Sequence, residues 1–172
     1  MNKEKTTRVL NYLEELFPDA YCELNHDSDF QLLVAVMLSA QTTDKKVNEL
    51  TKDLFKKYPD VKTMSQASLI QLQEDIKTIG LYRNKAKNLL AMSKMLIEKY
   101  DGKVPSAQKE LESLPGVGRK TANVVRSVAF DIPAFAVDTH VERISKRLGF
   151  AKKDDNDLNV EKKLCRSIPK ER

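Results

Sequence analysis

Lys120 and Asp138 are the two residues whose types and setting point to covalent chemistry. Lys120 follows the string Leu114-Pro115-Gly116-Val117-Gly118-Arg119 and falls in the first turn of the helix that this string opens. A cation there faces the positive end of the helix macrodipole, a poor place for a lysine kept for stability. The same field favours the neutral amine, the form a lysine nucleophile must take. Outside such a setting, an exposed lysine is usually solvated or paired with a phosphate. Asp138 precedes the helical face Val141, Ile144 and Leu148 and reads as an N-cap. Capping still leaves carboxylate oxygen for a neighbouring cleft, so the two roles are compatible.

The hairpin itself is a candidate phosphate grip. A helix ends, Pro115 fixes one dihedral, and Gly116 and Gly118 flank one apolar residue before Thr121 and Ala122 continue a new helix. Both glycines can take backbone angles closed to other residues, so peptide N–H groups can point outward together. With the free amides of the following helix they form a site for a phosphate oxygen. Val117 is expected to pack inward and lock the hairpin. The missing side chains let a nucleic-acid backbone come close, a contact that positions a duplex without reading its sequence. The competing reading is a purely structural helix connection. The Leu-Pro before and the Lys-Thr-Ala after make the string more specific than a lone Gly-x-Gly.

Helices must hold these residues, and every stretch with a clear period reads as helix. Val9, Leu10, Leu13, Leu16 and Phe17 share one face, ended by Pro18. Phe30 to Ser39 is apolar nearly all round and is expected to be the most buried helix. Asp44 is the expected cap of a third helix, carrying Val47, Leu50, Leu54 and Tyr58. Ser68 is that of a fourth, carrying Leu69, Leu72, Ile76 and Ile79. A fifth runs through Ala86, Leu89, Leu90, Ser93, Leu96, Ile97 and Tyr100, and others fit 106–113, 119–130, 138–148 and 157–167. Gly80 and Gly149 stand just past periodic runs, where a left-handed cap is wanted. No segment alternates with period two for long, so the fold class is all-α. Ile76-Lys77-Thr78-Ile79-Gly80-Leu81 faintly echoes the hairpin, as a second helix–hairpin–helix unit or as an ordinary helix end.

Composition bounds the rest. The chain has 172 residues, 41% hydrophobic and 32% charged, a globular composition rather than a disordered one. Lys and Arg number 30 against 25 Asp and Glu, and the formal charge of +5 suits a polyanionic partner without proving one. Two cysteines, Cys22 and Cys165, exclude a disulfide-rich secreted scaffold and any site needing four thiolates from these residues. No apolar run approaches the roughly 20 residues of a membrane span, so no membrane partner is expected. The N-terminus has no secretory pattern, which makes a reducing, cytoplasmic setting the default expectation.

The quoted strings resemble the endonuclease III family, within the helix–hairpin–helix DNA glycosylase superfamily. The resemblance rests on residues 114–125 and on Ala136-Val137-Asp138-Thr139-His140-Val141. It extends upstream to Leu38-Ser39-Ala40-Gln41-Thr42-Thr43-Asp44 and Ile79-Gly80-Leu81-Tyr82, and runs through nearly the whole chain in order. It implies a base-excision repair enzyme, a bifunctional DNA N-glycosylase and abasic-site lyase. The implied partner is duplex DNA with oxidised pyrimidines or abasic sites, and the implied setting a monomer on a bacterial chromosome. By the same resemblance Lys120 is the catalytic lysine and Asp138 the catalytic aspartate. Gln41 and Leu81 match residues that fill the gap left by an extruded base. Leu114, Gly116, Val117, Gly118, Arg119, Thr121 and His140 match the DNA-contacting positions, and Glu112 another position near the site. The implied fold is two helical domains with a DNA-binding cleft between them. One is a six-helix barrel carrying the helix–hairpin–helix motif over residues 22–132; the other combines residues 1–21 with 133–172.

The departure lies at the C-terminus. Family members usually continue into a helix and a four-cysteine loop that holds a [4Fe-4S] cluster, whereas this sequence ends at Arg172 without those cysteines. The expectation is a second domain truncated relative to the family, no cofactor on the chain as given, and no metal in the chemistry. Cys165, beside Leu164 and near Ile168, reads as core rather than ligand. Two other readings stand beside the first: a non-catalytic helix–hairpin–helix DNA-binding fragment, and a glycosylase of other specificity, such as mispaired bases.

Overall fold

The computed structural model describes residues 2–172. Among them are ten helices and no strand, so the chain is all-α. The helices are α1 (Lys3–Leu16), α2 (Asp29–Leu38), α3 (Asp44–Lys57), α4 (Val61–Ser65), α5 (Leu69–Asp75), α6 (Tyr82–Tyr100), α7 (Gln108–Ser113), α8 (Arg119–Ala129), α9 (Thr139–Leu148) and α10 (Asp157–Ser167).

Local chemistry sets the helix starts. Ser28 caps α2 by accepting from the Gln31 amide, and Asn156 caps α10 by accepting from Asn159. The cap of α3 is Thr43, not Asp44, which is the first helical residue. Asp60 opens α4 with a reciprocal capping box to Thr63. The periodicity gave no sign of this five-residue helix.

α2 is buried all round: from Phe30 to Leu38 no residue is more than 8% exposed. Helices α3, α6 and α8 pack against it. Each large apolar side chain so enclosed contributes about 1.5–3 kcal/mol relative to exposure. The buried apolar residues form two clusters. The larger runs from Leu24 to Val125 and takes in α2 and the inner face of α8. The smaller is Val137, Phe150, Val160 and Leu164, with Val9 of α1 packed against it. Both ends of the chain therefore feed the smaller cluster.

Besides the cap of α3, three expectations about helix faces and caps differ from the structure. On α1, Leu13, Leu16 and Phe17 stay 36%, 50% and 63% exposed, and the residue of that face packed on a cluster is Val9. On α9, Ile144 points outward and Ser145 is buried in its place. Between α5 and α6, the left-handed residue is Leu81 (φ 58), which occupies the N-cap of α6, and not Gly80. Gly149 does close α9 in the left-handed conformation. No helix among the described residues is long and apolar enough to cross a membrane.

Candidate active site

The turn between α7 and α8 is held from within. Val117 N donates to Leu114 O at 3.1 Å, and the side chains of Leu114 and Val117 are buried in the larger cluster. These two side chains are thus unavailable to DNA, and only their backbone can reach a ligand. Gly116 has φ +78, and a Cβ there would lie 2.8 Å from both Asn88 Cβ and Met37 Cε. Glycine is required twice over, by conformation and by space. Gly118 is different. Its backbone is extended (φ −92, ψ 177), open to any residue, and a Cβ would meet nothing within 4 Å among the described residues. The expectation that both glycines need special angles holds for Gly116 alone. No side chain caps α8, which leaves its first-turn amides as unpaired donors at the positive end of the helix.

Lys120 is the second residue of α8, and its Nζ lies 3.4 Å from Asp138 Oδ2. The two side chains are 56% and 33% exposed, so the pair is open to an incoming ligand. Asp138 is the N-cap of α9, and its Oδ1 accepts from the amides of His140 at 3.0 Å and Val141 at 2.9 Å. Partial burial pushes the Asp138 carboxyl up. The Val141 amide, the Lys120 charge and hydrogen bond, and the His140 amide outweigh it and hold the group below its ordinary value. A carboxylate held ionised in this way suits the stabilisation of positive charge better than proton abstraction.

Two long-range contacts fix this geometry, and neither stands out in the sequence. One turn beyond Lys120, Asn123 Nδ2 donates to Phe135 O at 2.9 Å, tying α8 to the extended segment that leads into Asp138. At the start of α8, Arg119 Nε and Nη2 donate to Glu161 of α10, each at 2.7 Å, and Nη1 lies 3.6 Å from Glu112. Arg119 was an expected DNA contact; its guanidinium is instead engaged by two carboxylates and braces α8 against α10. Lys120 thus projects from a helix of the larger cluster, and Asp138 from the residue after Val137 of the smaller one.

Thr121 is half-buried on α8. His140 is exposed, with Arg143 Nη2 3.2 Å from its Nδ1. Gln41 is exposed in the turn after α2 with φ 56, and Leu81 is 56% exposed with φ 58. An exposed leucine in the left-handed region is unusual, and it sets aside the reading of Leu81 as ordinary core.

A cluster of four thiolates does not fit the described residues. The two thiols are Cys22, half-buried against the larger cluster, and Cys165, and no group of three or more His, Cys, Asp or Glu among the described residues could hold a metal ion. Cys165 is exposed, which corrects its expected place in the core.

A glycine-turned hairpin leads into an uncapped helix start, a helix–hairpin–helix arrangement with a lysine–carboxylate pair beside it. The family model described as HhH-GPD superfamily base excision DNA repair protein matches residues 34–170. The chain is 56% identical over 171 residues to the endonuclease III of Bacillus subtilis, covering 99% of this chain and 78% of that one. To the endonuclease III of Escherichia coli it is 44% identical over 171 residues, covering 99% and 81%. Among solved structures, a trapped endonuclease III–DNA covalent intermediate superposes with a TM-score of 0.94 at 56% identity, covering 99% of this chain and 80% of that one. The chain belongs to the HhH-GPD superfamily of base excision DNA repair proteins and, within it, to the endonuclease III family.

Proposed function

We propose that this DNA glycosylase and abasic-site lyase removes oxidised pyrimidines from duplex DNA, with Lys120 as nucleophile and Asp138 as the charge-stabilising carboxylate. The observation that carries the residue assignment is the 3.4 Å pairing of Lys120 and Asp138 beside the hairpin. A solved relative trapped as a covalent DNA intermediate supports a nucleophilic route.

The hairpin amides and the start of α8 hold a backbone phosphate. A damaged nucleotide leaves the stack, at less cost when its stacking is already poor. Gln41 and Leu81 fill the gap, Leu81 as apolar wedges do elsewhere. Lys120 Nζ gives up a proton to solvent and attacks C1′ of the extruded sugar. The C1′–N bond breaks, and the base departs with its electron pair and gains a proton from solvent. Positive charge on the sugar is met by Asp138 Oδ2, as in glycosidases. A proton passes from Nζ to O4′, the C1′–O4′ bond breaks, and a protonated imine between Nζ and C1′ remains, which acidifies C2′. Loss of a C2′ proton drives the C3′–O bond to break, and the electron pair leaves on the 3′-side phosphate. Water then hydrolyses the imine and releases Lys120.

The two cores are read as the centres of the lobes expected at 22–132 and at 1–21 plus 133–172, with the duplex bound in the cleft between them. The reading extends to a monomer acting on chromosomal DNA in the cytoplasm, where free thiols such as Cys22 and Cys165 persist. Family membership and the Lys120–Asp138 pair together leave a purely DNA-binding fragment and a mispair-specific glycosylase unfavoured.

Borohydride trapping on abasic-site duplex tests the assignment. A covalent adduct is expected from the natural chain and from Lys103→Ala, and none from Lys120→Ala. An adduct that survives Lys120→Ala would overturn it. A panel of lesion duplexes tests the pyrimidine preference, which fails if mispaired bases are excised faster.

A further inference from the structure

We propose that Lys85 is a positioning residue for the gap-filling step: its buried ammonium fixes the loop that carries Gln41 and couples that loop to Leu81. The inference rests on the assignment of Gln41 and Leu81 as the residues that fill the gap.

Lys85 lies in the first turn of α6 and is 7% exposed. Its Nζ donates to Leu38 O at 2.9 Å, to Ala40 O at 2.7 Å and to Thr42 Oγ1 at 3.2 Å. The ammonium has three donors, and here each finds an acceptor. The three acceptors bracket Gln41 in sequence and are all neutral. Burying an ammonium without a carboxylate is unfavourable, and a methionine would pack the same stem without that penalty. The position is therefore poorly explained by core packing alone. The charge is well placed for one purpose, because the last carbonyls of α2 carry the negative end of its dipole.

The same residue holds the second loop through its backbone. Lys85 N donates to Leu81 O at 3.0 Å, the first hydrogen bond of α6. Gln41 and Leu81 both sit at positive φ, a conformation that persists only where the surroundings over-determine it. Lys85 supplies such a constraint to both loops, with its side chain at one and its amide at the other.

Trapping rates on the same abasic site in duplex and in single strand give a ratio that a general folding defect does not move, because only the duplex has a gap to fill. Gln41→Ala and Lys85→Met are each expected to lower that ratio by about tenfold, and the double variant no further. If Gln41→Ala leaves the ratio unchanged, the gap-filling assignment fails and the inference with it. If Gln41→Ala lowers the ratio but Lys85→Met does not, or if the two losses multiply, the Lys85 inference alone is overturned. Should Lys85→Met not fold, Thr42→Val removes one acceptor and is expected to lower the ratio about threefold. An unchanged ratio there is equally fatal to the inference.

Discussion

Asp138 divides its two oxygens between structure and Lys120. Oδ1 accepts from the first free amides of α9, while Oδ2 stands 3.4 Å from Lys120 Nζ. The capping bonds aim the second oxygen, so α9 acts as the mount for the carboxylate. This arrangement separates stability from activity in a way substitutions can read.

Asp138→Asn keeps a good capping residue and removes the charge. It is expected to lose only the stability that the charge contributes, and less than Asp138→Ala loses, while single-turnover base excision falls by about 10²–10³-fold. Asp138→Ala is expected to lose a comparable rate and, in addition, about 0.5–2 kcal/mol of stability with the cap. Equal stability of the two variants would remove the capping role.

The carboxyl of Asp138 also makes stability depend on acid. Burial pushes it up, but the Val141 amide, Lys120 and the His140 amide leave it below its ordinary 3.8 in the folded chain. A group with a depressed folded pKa stabilises fully above its unfolded pKa and ceases to do so as pH falls through the folded value. The difference in urea midpoint between the natural chain and Asp138→Asn should therefore be constant above about pH 5 and shift against the natural chain below about pH 4. A difference independent of pH down to about pH 2.5 contradicts the assigned direction.

The two glycines of the hairpin should behave differently. Gly116→Ala forces an L side chain into the left-handed region and into contact with Asn88 and Met37. It is expected to cost about 1–3 kcal/mol of stability. Gly118→Ala has room in the free protein and is expected to melt normally. Its new methyl group obstructs the approach of a phosphate, so affinity should fall equally for damaged and undamaged duplexes, read by fluorescence anisotropy. Unchanged affinity in Gly118→Ala would count against the phosphate grip.

Arg119 is expected to matter to folding more than to DNA. Glu161→Gln should lower stability by about 1–3 kcal/mol, as for other hydrogen bonds to charged groups. Arg119→Ala should leave the slope of log affinity against log salt unchanged, whereas loss of a phosphate contact would reduce it by about 0.9.

Sequence period was a good guide where one face is buried along the helix, as in α6, and an unbroken apolar run located α2. It missed α4 because Val61 and Met64 are its only buried residues, one turn apart, too few to form a period. It misassigned the C-terminal end of α1 and Ile144 in the middle of α9 because a period says which residues share a face and not whether anything covers it. The site was legible through Lys120, Asp138 and the hairpin, whose signals are local. Arg119–Glu161 and Lys85 with residues 38–42 were not, since their partners lie more than forty residues away in sequence. Lys85 in particular stands among Arg83 and Lys87, both exposed, and only the path of α2 distinguishes it from them.

The enclosure of α2 has a consequence for the loop at its end. Amides inside a helix wrapped on every side exchange with solvent only when the surrounding helices separate, so α2 belongs to the last part of the molecule to open. Gln41 follows that helix by three residues. The tip proposed to meet the vacated base stack is thus anchored to an element among the last to open. On that proposal it reaches DNA already in place, with its ordering entropy met during folding instead of at each encounter.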